Sequence, residues 1–204
     1  MRLASRHLII EPMSRAGIAA AQQHLPEELR PLCAACADAL DNVDGDMLWY
    51  TGWLVFTQAK KPKIVGLLSL NGPPDAAHTV QLKGAFCPDA KRTYAEEAVL
   101  CFLKKWLWKQ ESAAYVRTSP AYLAADDPEL PARMGFVQQQ DGDFWERERP
   151  AGNFSLSFAL LGCIAGVYMS THFEVSILTA FLGTALGYAA GIPFEKRDAK
   201  ARTK

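Results

Sequence analysis

Residues 64–109 read IVGLLSLNGPPDAAHTVQLKGAFCPDAKRTYAEEAVLCFLKKWLWK. Ile64 to Leu70 is apolar and β-prone, and Asn71-Gly72-Pro73-Pro74 breaks it sharply, as a turn does. Thr79 to Cys87 is a second β-prone run, closed by Pro88-Asp89. From Ala95 the period changes. Ala95, Ala98, Val99, Phe102, Leu103, Trp106 and Leu107 fall at i, i+3, i+4, i+7, which predicts an amphipathic helix of about four turns. A strand that enters a helix through a short loop is a candidate phosphate site, because the first turn offers unpaired N–H groups and a positive dipole end.

This stretch resembles the GNAT acetyltransferases, in particular the branch that modifies protein N-termini, among them those of ribosomal proteins, and antibiotic amines. The residues that carry the likeness are Gly66, Leu70-Asn71-Gly72-Pro73-Pro74, Val80-Gln81-Leu82, Pro88 and Tyr94-Ala95-Glu96-Glu97-Ala98. Outside it, Arg6 to Pro12 (RHLIIEP) looks like the family's opening strand, and Met134-Gly135-Phe136-Val137 like its late Leu-Gly-Phe-Val. The resemblance spans residues 1–150 and implies an α/β (α+β) domain with a mixed central sheet flanked by helices. It also implies acetyl-CoA as cofactor, held through Phe86, Cys87, Arg92, Thr93, Tyr94 and Ala95. A backbone N–H near Phe86 or Cys87 would polarise the thioester carbonyl.

Several positions depart from the family pattern. Where relatives place a glycine-rich loop against the pyrophosphate, this chain has Lys91-Arg92-Thr93-Tyr94-Ala95, without glycine. The family's glutamate base falls at Gln81, whose amide cannot accept a proton near neutral pH. Pro131 stands where some relatives have the tyrosine that reprotonates CoA. Pro128 and Pro131 also make a long late helix improbable on steric grounds. Glu96 and Glu97 suit a helix start but would repel a pyrophosphate.

Upstream, Ser14 is a candidate N-cap for a helix through Ala21. Pro26-Glu27-Glu28 opens another, with Leu29, Leu32, Cys33, Cys36, Ala37 and Leu40 on one face. Asp41 to Asp46 reads as a polar turn. Met47–Thr57 and Ile64–Leu70 read as a hairpin across Lys60–Lys63. Cys33-Ala34-Ala35-Cys36 has neither a second pair nor a nearby histidine, so it reads as core rather than as a metal site. His7, His24, His78 and His172 are scattered. Trp106 and Trp108 face opposite sides of their helix, which points one toward the core and the other toward a partner or a membrane surface. Five cysteines without regular spacing fit a reducing compartment, and a net charge of zero gives no pull toward nucleic acid.

Past residue 150 the character changes. Residues 154–169 (FSLSFALLGCIAGVYM) and 175–194 (VSILTAFLGTALGYAAGIPF) hold no charge. The second run, at about 1.5 Å per residue, matches a bilayer core of about 30 Å. The expectation is a transmembrane helical hairpin over 151–194, with spans near 153–171 and 175–194 and a basic tail over 195–204. Gly162 and Gly166, and Gly183, Gly187 and Gly191, recur every fourth residue, the small-xxx-small pattern of close helix packing. The tail carries five basic and two acidic residues. With Arg147 and Arg149 ahead of the first run, both ends are expected on the cytoplasmic side.

Two functions from different classes follow. One is a membrane-anchored, catalytically degenerate GNAT-like subunit that needs no cofactor and whose hairpin packs against other transmembrane subunits. The other is an active acetyl-CoA-dependent N-acetyltransferase tethered to a membrane.

Overall fold

The computed structural model describes all residues except 42, 44–45, 124–126, 140–143, 151–153, 173–177 and 203–204, and for 154–156, 166, 169–170, 172, 178–180 and 194–202 it describes the backbone alone. Residues 42, 44 and 45 of the Asp41–Asp46 turn, residue 126, and residues 173–177 between the two apolar runs lie outside these residues. The chain divides into two compact units, Met1–Arg149 and Pro150–Lys204.

The first unit is an eight-stranded sheet among the described residues, in the order β1-β2-β3-β4-β5-β6-β8-β7. The strands are β1 (Leu3–Ala4), β2 (Leu8–Pro12), β3 (Gly52–Thr57), β4 (Ile64–Leu70), β5 (Thr79–Phe86), β6 (Tyr115–Thr118), β7 (Val137–Gln138) and β8 (Trp145–Glu148). Every pairing is antiparallel except β5 with β6. A parallel neighbour needs a crossover, and α3 (Pro88–Lys105) supplies it. The sheet confirms the mixed α/β architecture expected for the first 150 residues.

Alternation along β5 builds both faces. Val80, Leu82 and Phe86 join the larger core with α3. Ala85 and Cys87 pack on the smaller core under α1 (Arg15–Ala21) and α2 (Arg30–Asp41). Ser14 caps α1 as expected, its hydroxyl accepting from the Gly17 N–H at 3.0 Å. In α2, Leu32, Cys33, Cys36 and Leu40 are buried, as the apolar face requires.

The larger core is anchored by aromatic rings. Trp53 lies 5.1 Å from Phe102 and 4.9 Å from Trp106, centroid to centroid, and Trp49 lies 5.0 Å from Trp106. These spacings are those of tilted and edge-on ring pairs, which add to area burial. Trp106 is buried in this core, and Trp108 packs against it partly buried, its indole N–H without a partner. Two elements differ from expectation. Residues 47–49 form a 3-10 turn rather than strand, because Asp46 caps it through the Leu48 N–H at 3.1 Å. The helix expected from Ala95 begins seven residues earlier, at Pro88, since proline suits the first helical position. The late helix is broken as the prolines demand, into α4 (Pro120–Leu123) and α5 (Leu130–Arg133).

The second unit is a pair of packed helices, α6 (Phe154–His172) and α7 (Leu178–Arg202). A Cβ built on Gly162 would overlap the Gly183 carbonyl, one on Gly183 the Gly162 carbonyl, and one on Gly187 the Phe158 carbonyl. These glycines therefore bring two backbones together inside the hairpin. Gly191 is in α7, and the surroundings of Gly166 lie outside the described residues. The basic residues from 195 onward continue α7, which runs through Pro193 to Arg202, in keeping with the helix-favouring Glu, Lys, Ala and Arg there. Among the described residues, no helix is long and apolar enough to cross a membrane, so the two expected spans are not established. Leu160, Leu161, Ile164, Val167, Phe181, Leu182 and Leu186 are nonetheless exposed.

Trp53 is fully buried and touches two of the other rings. Trp53→Ala is expected to destabilise the first unit by about 3–5 kcal/mol, read as a lower urea midpoint by tryptophan fluorescence; a change under about 1 kcal/mol would contradict the role assigned to this cluster.

Candidate functional site

β5 and β6 pair over three residues, Thr79 with Tyr115, Val80 with Val116 and Gln81 with Arg117. Beyond Gln81 the strands part. The Asn71 N–H donates to the Gln81 carbonyl at 3.1 Å, and the Cys87 N–H donates to the Val65 carbonyl at 3.0 Å. Alternate residues of an antiparallel strand bond the same neighbour, so Gly84 and Phe86 turn their N–H and C=O away from β4. This separates the two carbonyl-polarising candidates. Cys87 is committed to Val65, and Phe86 is directed toward the gap.

Three cavities lie along β5, β6, α3 and their neighbours. The first, of about 290 Å³, is lined by Asn71, Gly72, Pro73, Asp75, Thr79, Gln81, Arg117 and Phe144. Gly72, at φ +109°, makes the turn above it. Arg117 is held by Glu146 at 2.5 Å. The second, of about 390 Å³, lies between α2, β5 and α4, with Leu32, Lys83, Phe86, Lys91 and Tyr122 among its walls and Glu28 at one side. The third, also about 390 Å³, sits at the head of α3 among Pro88, Asp89, Lys91, Arg92, Asp127 and Leu130.

The expected cofactor residues do not converge. Of Arg92, Thr93, Tyr94 and Ala95, only Arg92 lines the cavity at the head of α3. Thr93 is exposed, Tyr94 packs against the larger core and Ala95 is fully buried. All four lie beyond the first turn of α3, where helical bonding takes up backbone N–H groups. The Lys91 and Ala90 N–H groups both donate to the Cys87 carbonyl at 2.9 Å, and Pro88 has no N–H. The first-turn N–H left over belongs to Asp89, an acidic residue. Gln81 lies in the first cavity and Phe86 in the second, five residues and about 17 Å of strand apart.

An ion network lies at the head of α3. Arg133 reaches Asp127 at 2.6 Å and Glu96 at 3.7 Å. The Arg133 hydrogen bond holds the Asp127 carboxyl below its ordinary range. This network was not read from the sequence, because Glu96 and Arg133 lie far apart along the chain and only the break at Pro128 and Pro131 brings α5 beside α3. Pro131 is buried within α5. Lys83 was missed too; its only signal was one cation in an otherwise uncharged strand.

The gap between β5 and β6 is partly filled. Leu123 of α4 is fully buried, and a Cβ on Gly84 would come within 2.8 Å of its side chain. Among the described residues no cluster of three potential metal ligands exists. Cys33 and Cys36 face the core under α2.

No family model matches the sequence, and no curated protein matches it. Solved structures do match. The ribosomal-protein-S5-alanine acetyltransferase of Vibrio fischeri has a TM-score of 0.51 at 10% identity, covering 74% of this chain and 100% of its own. A ribosomal L7/L12 α-N-protein acetyltransferase has the same TM-score of 0.51 at 10% identity, covering 72% and 98%. A GNAT-family acetyltransferase of Bacillus anthracis has a TM-score of 0.46 at 13% identity, covering 72% and 94%. The chain has the GNAT acetyltransferase fold, over a share close to that of the first unit. At such identities the likeness concerns the fold alone.

Burial pushes the Cys36 thiol up to about 11, against a lowering hydrogen bond from Ser69, and burial raises Cys33 as well. At pH 8 a thiol of that pKa is about one-thousandth thiolate, and the thiolate is the reactive form. Iodoacetamide at pH 8 is therefore expected to leave Cys36 unmodified in the folded protein and to label it fully in urea, as read by peptide mass; rapid native labelling would place it outside the core.

Proposed function

We propose that the chain is a membrane-anchored GNAT-fold subunit that has lost acetyl transfer and acts as a binding module. The observation that carries this reading is the position of Arg92-Thr93-Tyr94-Ala95 inside α3. A pyrophosphate is held by N–H groups that point out of a first turn or a glycine loop, and here helical bonding takes up those N–H groups. Gln81 in place of a carboxylate and the Asp127–Arg133–Glu96 network, whose two carboxylates already hold Arg133, point the same way. An active transferase is the alternative, favoured by the Phe86 N–H directed toward the gap.

Anchoring is supported by the two uncharged runs and by the outward Leu160, Leu161, Ile164, Phe181, Leu182 and Leu186. In water so many exposed apolar side chains on a small unit are a liability; in lipid they are the expected surface. Gly162, Gly183 and Gly187 close the hairpin on itself, so neighbouring transmembrane subunits would meet the Leu, Ile and Phe side chains instead. The Arg147 guanidinium donates to the Met134 carbonyl, and Arg149 pairs with Ala114 and Gln110 carbonyls. Both arginines thus serve the first unit, and the cytoplasmic orientation rests on the basic end of α7.

Two measurements test the proposal. Calorimetric titration of acetyl-CoA into the full chain in detergent is expected to give no saturable heat, and micromolar binding would restore the transferase reading. The chain is expected to stay with membranes after alkaline carbonate extraction. Its release into the supernatant would replace the bilayer with a protein partner covering the hairpin.

A further inference from the structure

The cations of the first unit divide into those the fold uses and those it does not. Arg2 pairs with Glu11 at 3.1 Å, Arg117 with Glu146 at 2.5 Å and Arg133 with Asp127 at 2.6 Å. Arg15, Arg30, Lys105, Arg147 and Arg149 donate to main-chain carbonyls, and Lys83 donates to Asn71. Arg6, Lys60, Lys61 and Lys63 are exposed and form no hydrogen bond or ion pair through their side chains among the described residues. Arg92, Lys104 and Lys109 also lack partners, but they are spread along α3 and the 3-10 turn behind it.

The fold gathers the first four. Leu8 pairs with Thr57 across β2 and β3, and the Gln58 N–H donates to the His7 carbonyl at 2.6 Å. Thr57 and Lys63 close the β3–β4 loop, the Thr57 N–H donating to the Lys63 carbonyl at 2.9 Å. The tight turn over Ser5–Leu8, which carries Arg6, therefore lies beside the loop over 58–63. Neither turn contains a carboxylate. Glu97 of α3 touches the first of them, and its bonds go to the His7 N–H and imidazole, each at 2.9 Å.

Like charges on adjoining turns repel one another, and an anionic surface broad enough to meet all of them relieves that repulsion. None of the four lines a cavity described above, so their complement is a surface rather than an enclosed ligand. The second unit favours a bilayer among such surfaces, since its outward Leu160, Leu161, Phe181 and Leu182 suit lipid. We propose that the edge formed by Arg6, Lys60, Lys61 and Lys63 docks on the anionic lipid headgroups of the membrane that holds the chain. The proposal rests on the anchoring reading and extends it from the hairpin to the first unit.

The test uses the full chain in lipid nanodiscs, with a dye on Ala59→Cys, an exposed position within the loop. Wild-type chain taken through the same labelling corrects for native thiols. Energy transfer from the dye to acceptor-labelled headgroups should rise when phosphatidylserine replaces part of the phosphatidylcholine, and fall back at high salt. Changing Arg6, Lys60, Lys61 and Lys63 together to Gln should abolish the rise, while Arg at all four positions should keep it. The urea midpoint of each variant checks that it folds. If the hairpin does not anchor, the chain fails to enter nanodiscs, and co-sedimentation with phosphatidylserine vesicles then reads the same edge. There the Gln variant should bind at least about a hundredfold more weakly, since each cation at such a surface contributes about fivefold. The proposal is overturned by equal transfer in both lipids, by a rise that survives high salt, or by a folded Gln variant that keeps the rise. Salt-sensitive binding of polyuridylate without any rise in transfer would also overturn it, and would assign the edge to nucleic acid.

Discussion

The Cys87 N–H is bonded to the Val65 carbonyl, and the next residue, Pro88, already begins α3. Strand and helix therefore meet without a loop between them. That junction sets the rest of the site. It winds Arg92 to Ala95 into the helix, puts Ala95 into the core and leaves Asp89 as the acidic residue at the helix head. It also holds β5 against β4 to its end, so the strand's other edge opens only toward α4. A glycine-containing loop would have delayed the helix and left several N–H groups pointing outward. Proline at the first helical position does the opposite.

Around that junction the first unit keeps the layered packing its fold requires. Trp53, Phe102, Trp106 and Trp49 fill one side of the sheet, and α1 and α2 fill the other. On the side under α2, Gln81 and Lys83 alternate with buried Val80 and Leu82. Here the face carries a lysine answered by an amide and an aromatic ring, and an arginine already neutralised by its neighbour. β5 thus places core residues and polar residues on one strand, Val80, Leu82 and Phe86 toward one side and Gln81 and Lys83 toward the other.

In the second unit the packing is governed by the absence of side chains. Gly162 and Gly183 face each other so closely that each excludes a methyl group on the other. Large apolar residues then occupy the outer surfaces of both helices. Such an arrangement has dispersion contacts within the helix pair and apolar surface without.

The sequence alone determined the parts whose periodicity is local. Ile64 to Leu70 and Thr79 to Phe86 as strands, the Gly72 turn, the Ser14 cap, the buried face of α2 and the break at Pro128 and Pro131 all follow from spacing or from the stereochemistry of single residues. The GNAT likeness was legible in short motifs because turn and junction residues have few substitutes. What needed the tertiary structure was everything decided by neighbours distant in the chain. The early start of α3 depends on Cys87 being bonded to β4. The pairing of Arg133 with Asp127 and Glu96 depends on α5 lying beside α3. The bond from Lys83 to Asn71 depends on β4 and β5 lying side by side. The inward use of Gly162 and Gly183, rather than outward toward a partner, depends on how two helices rotate against each other. No pattern along one helix determines that rotation, because the same small-residue stripe serves any helix that approaches closely.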